Sequence, residues 1–268
     1  CPININDIGK FPEKEFEYFV CGSDQIWSPY SNDVNSTYFL TFTSPSKKIA
    51  LSPSLSADSI PEEKKDEFKR YLTNFKFIST REYVGSNLVS ELTGNKVETL
   101  IDPTLMFDAD FWVKYENKPK SGNDDKYALC YFLGEPEQMS RIHNECNKKG
   151  LKVVDILNDR NVISCGPSEF IYLIHNATKI YTDSYHGTIF SIIFNKPFVL
   201  CKRKGSSVDM SSRFDTLFSK LGISLDGDND MEEYNNIDPK YLKDRIDSER
   251  SKFENLLFVN ALTTNASS

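Results

Sequence analysis

The stretch from Ile180 to Pro197, Ile-Tyr-Thr-Asp-Ser-Tyr-His-Gly-Thr-Ile-Phe-Ser-Ile-Ile-Phe-Asn-Lys-Pro, restricts what this chain can fold into more than any other. A short β-favouring run, Lys179 to Thr182, meets polar residues and a glycine, and apolar residues then recur at helical spacing through Ile189, Ile192 and Ile193. That pattern predicts a strand, a tight loop and a helix. Asp183 and Ser184 are favourable N-cap residues, so the helix is expected to begin near Tyr185 to Gly187 with its first amides unpaired. Those amides and the helix dipole make a place for a phosphate or a carboxylate, with His186 at its lip. Taken alone, the same residues also suit a serine that merely caps, a glycine that permits close packing and an ordinary loop histidine.

Strand and helix alternate along the rest of the chain. Strands are predicted at Glu17 to Cys21, Lys48 to Ser52, Phe75 to Ser79 and Val97 to Ile101. Helices are predicted from Pro61 to about Thr73 and from Arg81 to Gly94, with a short one around Phe111-Trp112. The polar run Glu116 to Lys126 has the composition of a linker and places a domain boundary between 118 and 119. Beyond it, strands at Tyr127 to Leu133, Lys152 to Leu157 and Phe198 to Cys201 alternate with helices at Pro136 to Lys149, Pro167 to Asn176 and Ser211 to Leu221. Asp226 to Glu233 reads as an acidic, solvated loop, Tyr241 to Phe258 as a final amphipathic helix, and 260–268 as a frayed tail. The expectation is therefore an α/β protein of two domains, 1–118 and 119–259, each with a parallel sheet, facing each other over a cleft. Ligands in such folds sit at the C-terminal ends of the strands.

Composition removes several functional classes. With 32 basic and 39 acidic residues the chain carries a net charge of −7, which argues against a general nucleic-acid or membrane-surface binder. No apolar run approaches the ~20 residues that span a bilayer, and the first ten residues lack the architecture of a signal peptide, so a cytoplasmic protein is expected. The cysteines at 1, 21, 130, 146, 165 and 201 form no Cys-x-x-Cys pair and read as reduced, mostly buried hydrophobes. Only His143, His175 and His186 offer imidazole, without ligand spacing, so no metal is expected.

Two further stretches carry charge to predicted strand ends. Ser79-Thr-Arg-Glu82 mirrors the central stretch in the first half of the chain, and Arg81 can offer a planar, permanent cation to a carboxylate or phosphate, or simply pair with Glu82 or Glu91. Lys202-Arg203-Lys204-Gly205 follows a strand and leads through two serines to Arg213. No nucleotide-binding glycine fingerprint accompanies them.

In order and spacing, Phe19-Val-Cys-Gly-Ser-Asp-Gln-Ile-Trp27, Ser79-Thr-Arg-Glu82, Asp102-Pro-Thr-Leu105, Gly166-Pro-Ser-Glu-Phe170, Thr182-Asp-Ser-Tyr-His-Gly-Thr188 and Asn195-Lys-Pro-Phe198 resemble the successive signatures of the polysaccharide pyruvyl transferase family. The resemblance implies two Rossmann-like domains in a GT-B-like fold, and transfer of pyruvate from phosphoenolpyruvate to sugar hydroxyls as a ketal, with phosphoenolpyruvate as co-substrate and no further cofactor. It implies that Arg81 and His186, with Ser184, Tyr185 and Gly187, hold the donor's phosphate and carboxylate, joined by Lys204 and Arg213, and that His186 is the general acid. Asp24, Trp27 and Asp102 fall on the acceptor side, Asp24 orienting or deprotonating a hydroxyl and Trp27 stacking on a sugar ring; a turn-forming Asp24 and a buried Trp27 are the plain alternatives. The implied partners are a saccharide or lipid-linked saccharide acceptor and, beyond it, the enzymes of glycan assembly. Only about twenty residues precede Gly22, fewer than is usual in the family, so the first domain is expected to lack its first βα units. Two other functions fit the same residues: a GT-B glycosyltransferase using a nucleotide sugar, and a non-catalytic member that binds an anion.

Overall fold

The computed structural model describes residues 12–31, 36–119, 125–159, 165–203, 211–228, 230–234 and 238–262, with side chains to 259. In chain order the elements are β1 (Phe19–Cys21), β2 (Lys48–Ala50), α1 (Glu62–Leu72), β3 (Phe77–Thr80), α2 (Tyr83–Thr93), β4 (Glu98–Thr99), α3 (Ala109–Val113), β5 (Tyr127–Tyr131) and α4 (Met139–Lys148). There follow β6 (Lys152–Asp155), α5 (Pro167–Asn176), β7 (Lys179–Thr182), α6 (Tyr185–Ile193), β8 (Phe198–Cys201), α7 (Ser212–Leu221), β9 (Asp226–Asp228), β10 (Met231–Tyr234) and α8 (Pro239–Leu256). The α/β alternation expected from the sequence is present, in two sheets that are mostly parallel.

By contacts, one unit holds the described residues of Cys1–Pro103, Val208–Lys220 and Ile246–Ser268, and the other those of Thr104–Ser207 and Leu221–Arg245. The expected single boundary at 118/119 thus gives way to a discontinuous partition. The segment just before that boundary is tied to the second unit: Trp112 packs edge-on to Phe190 at 5.1 Å, Glu116 holds His175 at 2.8 Å, and the Asn117 amide donates to the Ser168 carbonyl at 3.1 Å. The late return to the first unit is held by the Tyr83 amide on Thr216 Oγ1 (3.1 Å) and by Lys220 on Glu249 (2.7 Å). Such long-range pairings have no local signature in composition.

In the first unit, β1-β2-β3-β4 form a wholly parallel sheet in that order. Helix α1 follows Pro61, with Glu62 and Glu63 in its first turn and Lys69 and Arg70 in its last, charges that match the helix dipole at both ends. Its Phe68 and Leu72 enter a core with Trp27, Phe39, Leu55 and Val89. Burying each such side chain contributes about 1.5–3 kcal/mol, an upper bound set by the extended-chain reference.

The second sheet runs β6-β5-β7-β8-β10-β9. Its first four strands are parallel, and β10 joins β8 antiparallel, with Met231 opposite Cys201 and Tyr234 opposite Phe198. The expected solvated loop at Asp226–Glu233 is therefore a hairpin of β9 and β10. Met231 and Tyr234 enter the core, and Tyr234 stacks on Phe198 at 4.9 Å, so packing against the β8 edge overrides the acidic composition. At the C-terminus, α8 passes into a π-helical turn, Leu257–Leu262, in place of the tail expected from residue 260; residues 263–268 lie outside the described residues.

Strand order in this sheet reverses at β5, since β6 lies on one side of it and β7 on the other. Connections leaving β5 and β7 at their C-terminal ends therefore diverge, and it is at such a reversal that ligands sit in open α/β sheets.

Candidate active site

The loop from β7 into α6 lies at that reversal. Ser184 takes extended backbone angles (φ −93°, ψ 132°) and its Oγ accepts from the Gly187 amide at 3.3 Å, so the N-cap falls where the sequence placed it. Thr182 locks the turn: its hydroxyl donates to the Tyr131 carbonyl (2.7 Å) and accepts from the Ser184 amide (3.0 Å). Gly187 packs so closely on this hydroxyl that a Cβ would lie 2.5 Å from Thr182 Oγ1. No other residue type fits there without moving the end of β7. The first amides of α6 face out of its N-terminal end, the geometry that accepts an anion. His186 is partly exposed in the first turn, its ring nearly perpendicular to that of Tyr185 at 5.8 Å. The Tyr185 ring is buried, so beside a ligand this residue has only its backbone to offer.

Asp183, the other cap candidate, does something different. Its carboxylate accepts from the amides of Leu133 (2.7 Å) and Gly134 (2.9 Å), in the loop after β5, and from Arg203 Nε (2.8 Å), just beyond β8. Arg203 Nη2 also donates to the Asp183 carbonyl at 3.2 Å. One buried carboxylate thus ties together the ends of three neighbouring strands. Tyr131, the last residue of β5, belongs to the same cluster: burial pushes its phenol above the ordinary range, while a hydrogen bond with Ser184 opposes the shift.

The strand ends of the first unit carry a second polar cluster. Arg81, directly after β3, places Nη1 2.8 Å from Asp102 Oδ2 and Nη2 3.7 Å from Asp24 Oδ1. The side chains of Arg81 and Asp102 are both 0 % exposed, whereas that of Asp24 is 67 % exposed. Ser23 Oγ adds a hydrogen bond to Asp102 at 3.3 Å. Beside them the buried Glu82 accepts through Oε1 from Ser54 Oγ (3.0 Å), the Leu55 amide (2.7 Å) and the Ser56 amide (3.2 Å), and so holds the serine-rich loop after β2.

A family model described as polysaccharide pyruvyl transferase matches residues 2–205, more than half of the chain. The chain belongs to the polysaccharide pyruvyl transferase family. No curated protein matches it. Membership makes it a transferase of polysaccharide biosynthesis and gives it a saccharide as the class of acceptor. Among the described residues no group of three or more His, Cys, Asp or Glu side chains is placed to hold a metal ion, and no helix is long and apolar enough to cross a membrane.

Several residues singled out in this family member from sequence take other positions in the structure. Trp27 does not present a face to a sugar: it is fully buried, stacked on Phe39 at 5.4 Å, with its indole N–H donating to the Tyr38 carbonyl. Asp102 is sealed against Arg81, so it offers no surface to an acceptor. Arg81 in turn is buried and engaged by two carboxylates of its own unit, and Glu82, one of the two surface partners expected for it, faces the 54–56 loop instead. Arg213 is buried, lies over the Phe214 ring at 5.4 Å and falls in the first unit, while the α6 loop falls in the second. Lys204 lies outside the described residues. Asp24 lies exposed after β1, and Ser184, His186 and Gly187 lie in the turn between β7 and α6.

The sequence reading missed Tyr131, Gly134 and Glu82 as site-forming residues, and read Asp183 only as a cap and Arg203 only as part of a basic run. A signal existed for Asp183, since a helix needs one cap and two were offered. Which amides the spare carboxylate would reach depends on strand order.

Proposed function

We propose that this protein transfers pyruvate from phosphoenolpyruvate to two hydroxyls of a sugar, with the donor seated at the N-terminus of α6 and His186 as general acid. The observation that carries the reading is the strand–cap–helix turn at 182–187, where a helix N-terminus stands beside a partly exposed imidazole at the strand-order reversal of the sheet. Two Rossmann-like domains in a GT-B-like fold and a cytoplasmic setting belong to the same reading.

The chemistry requires what this turn offers. Protonation of the donor's methylene carbon makes C2 an oxocarbenium-like centre, and a first sugar hydroxyl adds there with loss of its proton. The C2–O bond to phosphate then breaks, and a second hydroxyl closes the ketal while its proton leaves with inorganic phosphate. His186 supplies the proton at the first step. The helix amides answer the charge on the donor's phosphate and carboxylate.

Calorimetric titration of phosphoenolpyruvate into the wild type and the His186→Ala variant tests this. Saturable binding, weakened modestly by the substitution, with transfer to a sugar acceptor abolished, is the expected result. Binding of a nucleoside diphosphate in place of phosphoenolpyruvate would turn the reading to a nucleotide-sugar glycosyltransferase. Normal turnover by His186→Ala would remove the acid from its role.

A further inference from the structure

We infer that Arg203 is a ligand for the donor's anionic group and that Asp183 is the positioning residue that aims it. The inference rests on the proposed donor site at α6 and adds to it a cation that family membership does not supply.

The argument begins with what Asp183 does to its neighbours. Its carboxylate is 3 % exposed and meets three donors, all at 2.7–2.9 Å, which is a full complement for a buried, charged acceptor. Two of those donors are backbone amides in the loop after β5. An external anion therefore finds the amides of Leu133 and Gly134 already taken by a carboxylate of the protein. What remains open to it on this side is the third donor, the guanidinium.

Arg203 is held at two points, Nε on the Asp183 carboxylate and Nη2 on the Asp183 carbonyl. Both contacts are to the residue that directly precedes the N-cap of α6, so the guanidinium is fixed against the turn that carries Ser184 and His186. Its side chain is 21 % exposed, and Nη1 has no hydrogen-bond partner among the described residues. A guanidinium cannot lose its charge at ordinary pH, and a fork with two corners fixed presents its remaining N–H groups in one direction with little rotamer entropy left to lose.

Gly134 supplies an independent sign that the arrangement is built in. A Cβ on Gly134 would stand 2.7 Å from Arg203 Cγ and 3.2 Å from Asp183 Oδ2, so the aliphatic stem of the arginine lies across a bare stretch of backbone. An arginine that served only to neutralise a buried aspartate would need no such passage with one corner left exposed. Lysine in its place has one point charge and no fork, and cannot hold Asp183 at two points while addressing a ligand.

Phosphoenolpyruvate is titrated into the wild type and into Arg203→Lys, Arg203→Ala, Asp183→Asn and His186→Ala, each with its melting temperature measured. Expected are a loss of affinity of about 10–100-fold for Arg203→Ala, only partial recovery in Arg203→Lys, and a loss in Asp183→Asn for the fraction that remains folded. Asp183→Asn also lowers the melting temperature, whereas Arg203→Lys, which keeps a positive charge beside the buried carboxylate, lowers it less. That split separates ligand-binding from a merely structural role. If the wild type binds and His186→Ala weakens binding while both Arg203 variants bind as the wild type does, the inference falls and the donor site stands. If the wild type does not bind phosphoenolpyruvate at millimolar concentration, the donor site falls and the inference with it.

Discussion

Replacing Arg81 with methionine keeps an unbranched apolar stem and removes the charge that faces Asp102. At 2.8 Å and an effective dielectric near 20, that pair is worth about 6 kcal/mol in gross Coulomb energy. Most of this offsets the cost of taking two charges out of water. Removing one partner is nevertheless expensive, about 3–5 kcal/mol, because the other stays buried and unanswered. Asp102 is fully buried, and Ser23 Oγ also donates to it at 3.3 Å. At about 3 °C per kcal/mol for a domain of this size, Arg81→Met lowers the melting temperature by on the order of 10–15 °C in scanning calorimetry. The double variant Arg81→Met/Asp102→Leu recovers a large part of the loss, since a buried ion pair is often replaceable by apolar groups of similar volume. Arg81→Met that melts like the wild type, and merely needs more phosphoenolpyruvate, would show that the arginine serves the donor and that the buried pair has been misjudged.

Gly187→Ala drives a Cβ against Thr182 Oγ1 and disturbs the two hydrogen bonds that hydroxyl makes, so a loss of about 2–4 kcal/mol is expected by denaturant titration. In a double-mutant cycle, adding Thr182→Ala costs less than the two single changes summed, because the crowded atom is gone; strict additivity would place the strain elsewhere. Ellman titration of the folded protein at pH 8 leaves Cys21, Cys130, Cys146 and Cys201 unreacted until denaturant is added, since all four are buried and burial raises their thiols, Cys21 and Cys201 to about 12. Because the folded pKa of these thiols lies above the ordinary 9.0, their contribution to stability is complete below pH 9 and is lost as pH rises toward 12, so melting temperature falls across that window. A flat profile from pH 9 to 12 would mean that the thiols are already exposed in the native state.

Much of the architecture follows from local pattern. The spans of α5, β7 and β8 coincide with those expected from periodicity, flanking proline and β-propensity, and the cap at Ser184 is where Ser-x-His-Gly put it. Such features depend on residues three or four apart, so the sequence states them directly. Helix α2 begins two residues later than expected, at Tyr83, because Arg81 and Glu82 turn their side chains to partners distant in sequence, Asp102 and the 54–56 loop.

What only the tertiary structure decided is which charges are already answered. The sequence offered Arg81 ahead of Lys204 and Arg213 as donor cations, with Arg203 only one of a basic run, and could not show which would be tied up, since that depends on which carboxylate the fold brings within 3 Å. Arg81 met Asp102 and was sealed, Arg213 was buried beside Phe214, and Arg203 met Asp183 with one corner still exposed. Trp27 and the acidic run at 226–233 make the same point for apolar surface, one hidden in a core and the other drawn into a sheet by Met231 and Tyr234. Helix caps, turns and periodicities are short-range physics and are written in the chain. Desolvation and charge pairing depend on neighbours supplied by strand order, and strand order is a property of the folded molecule.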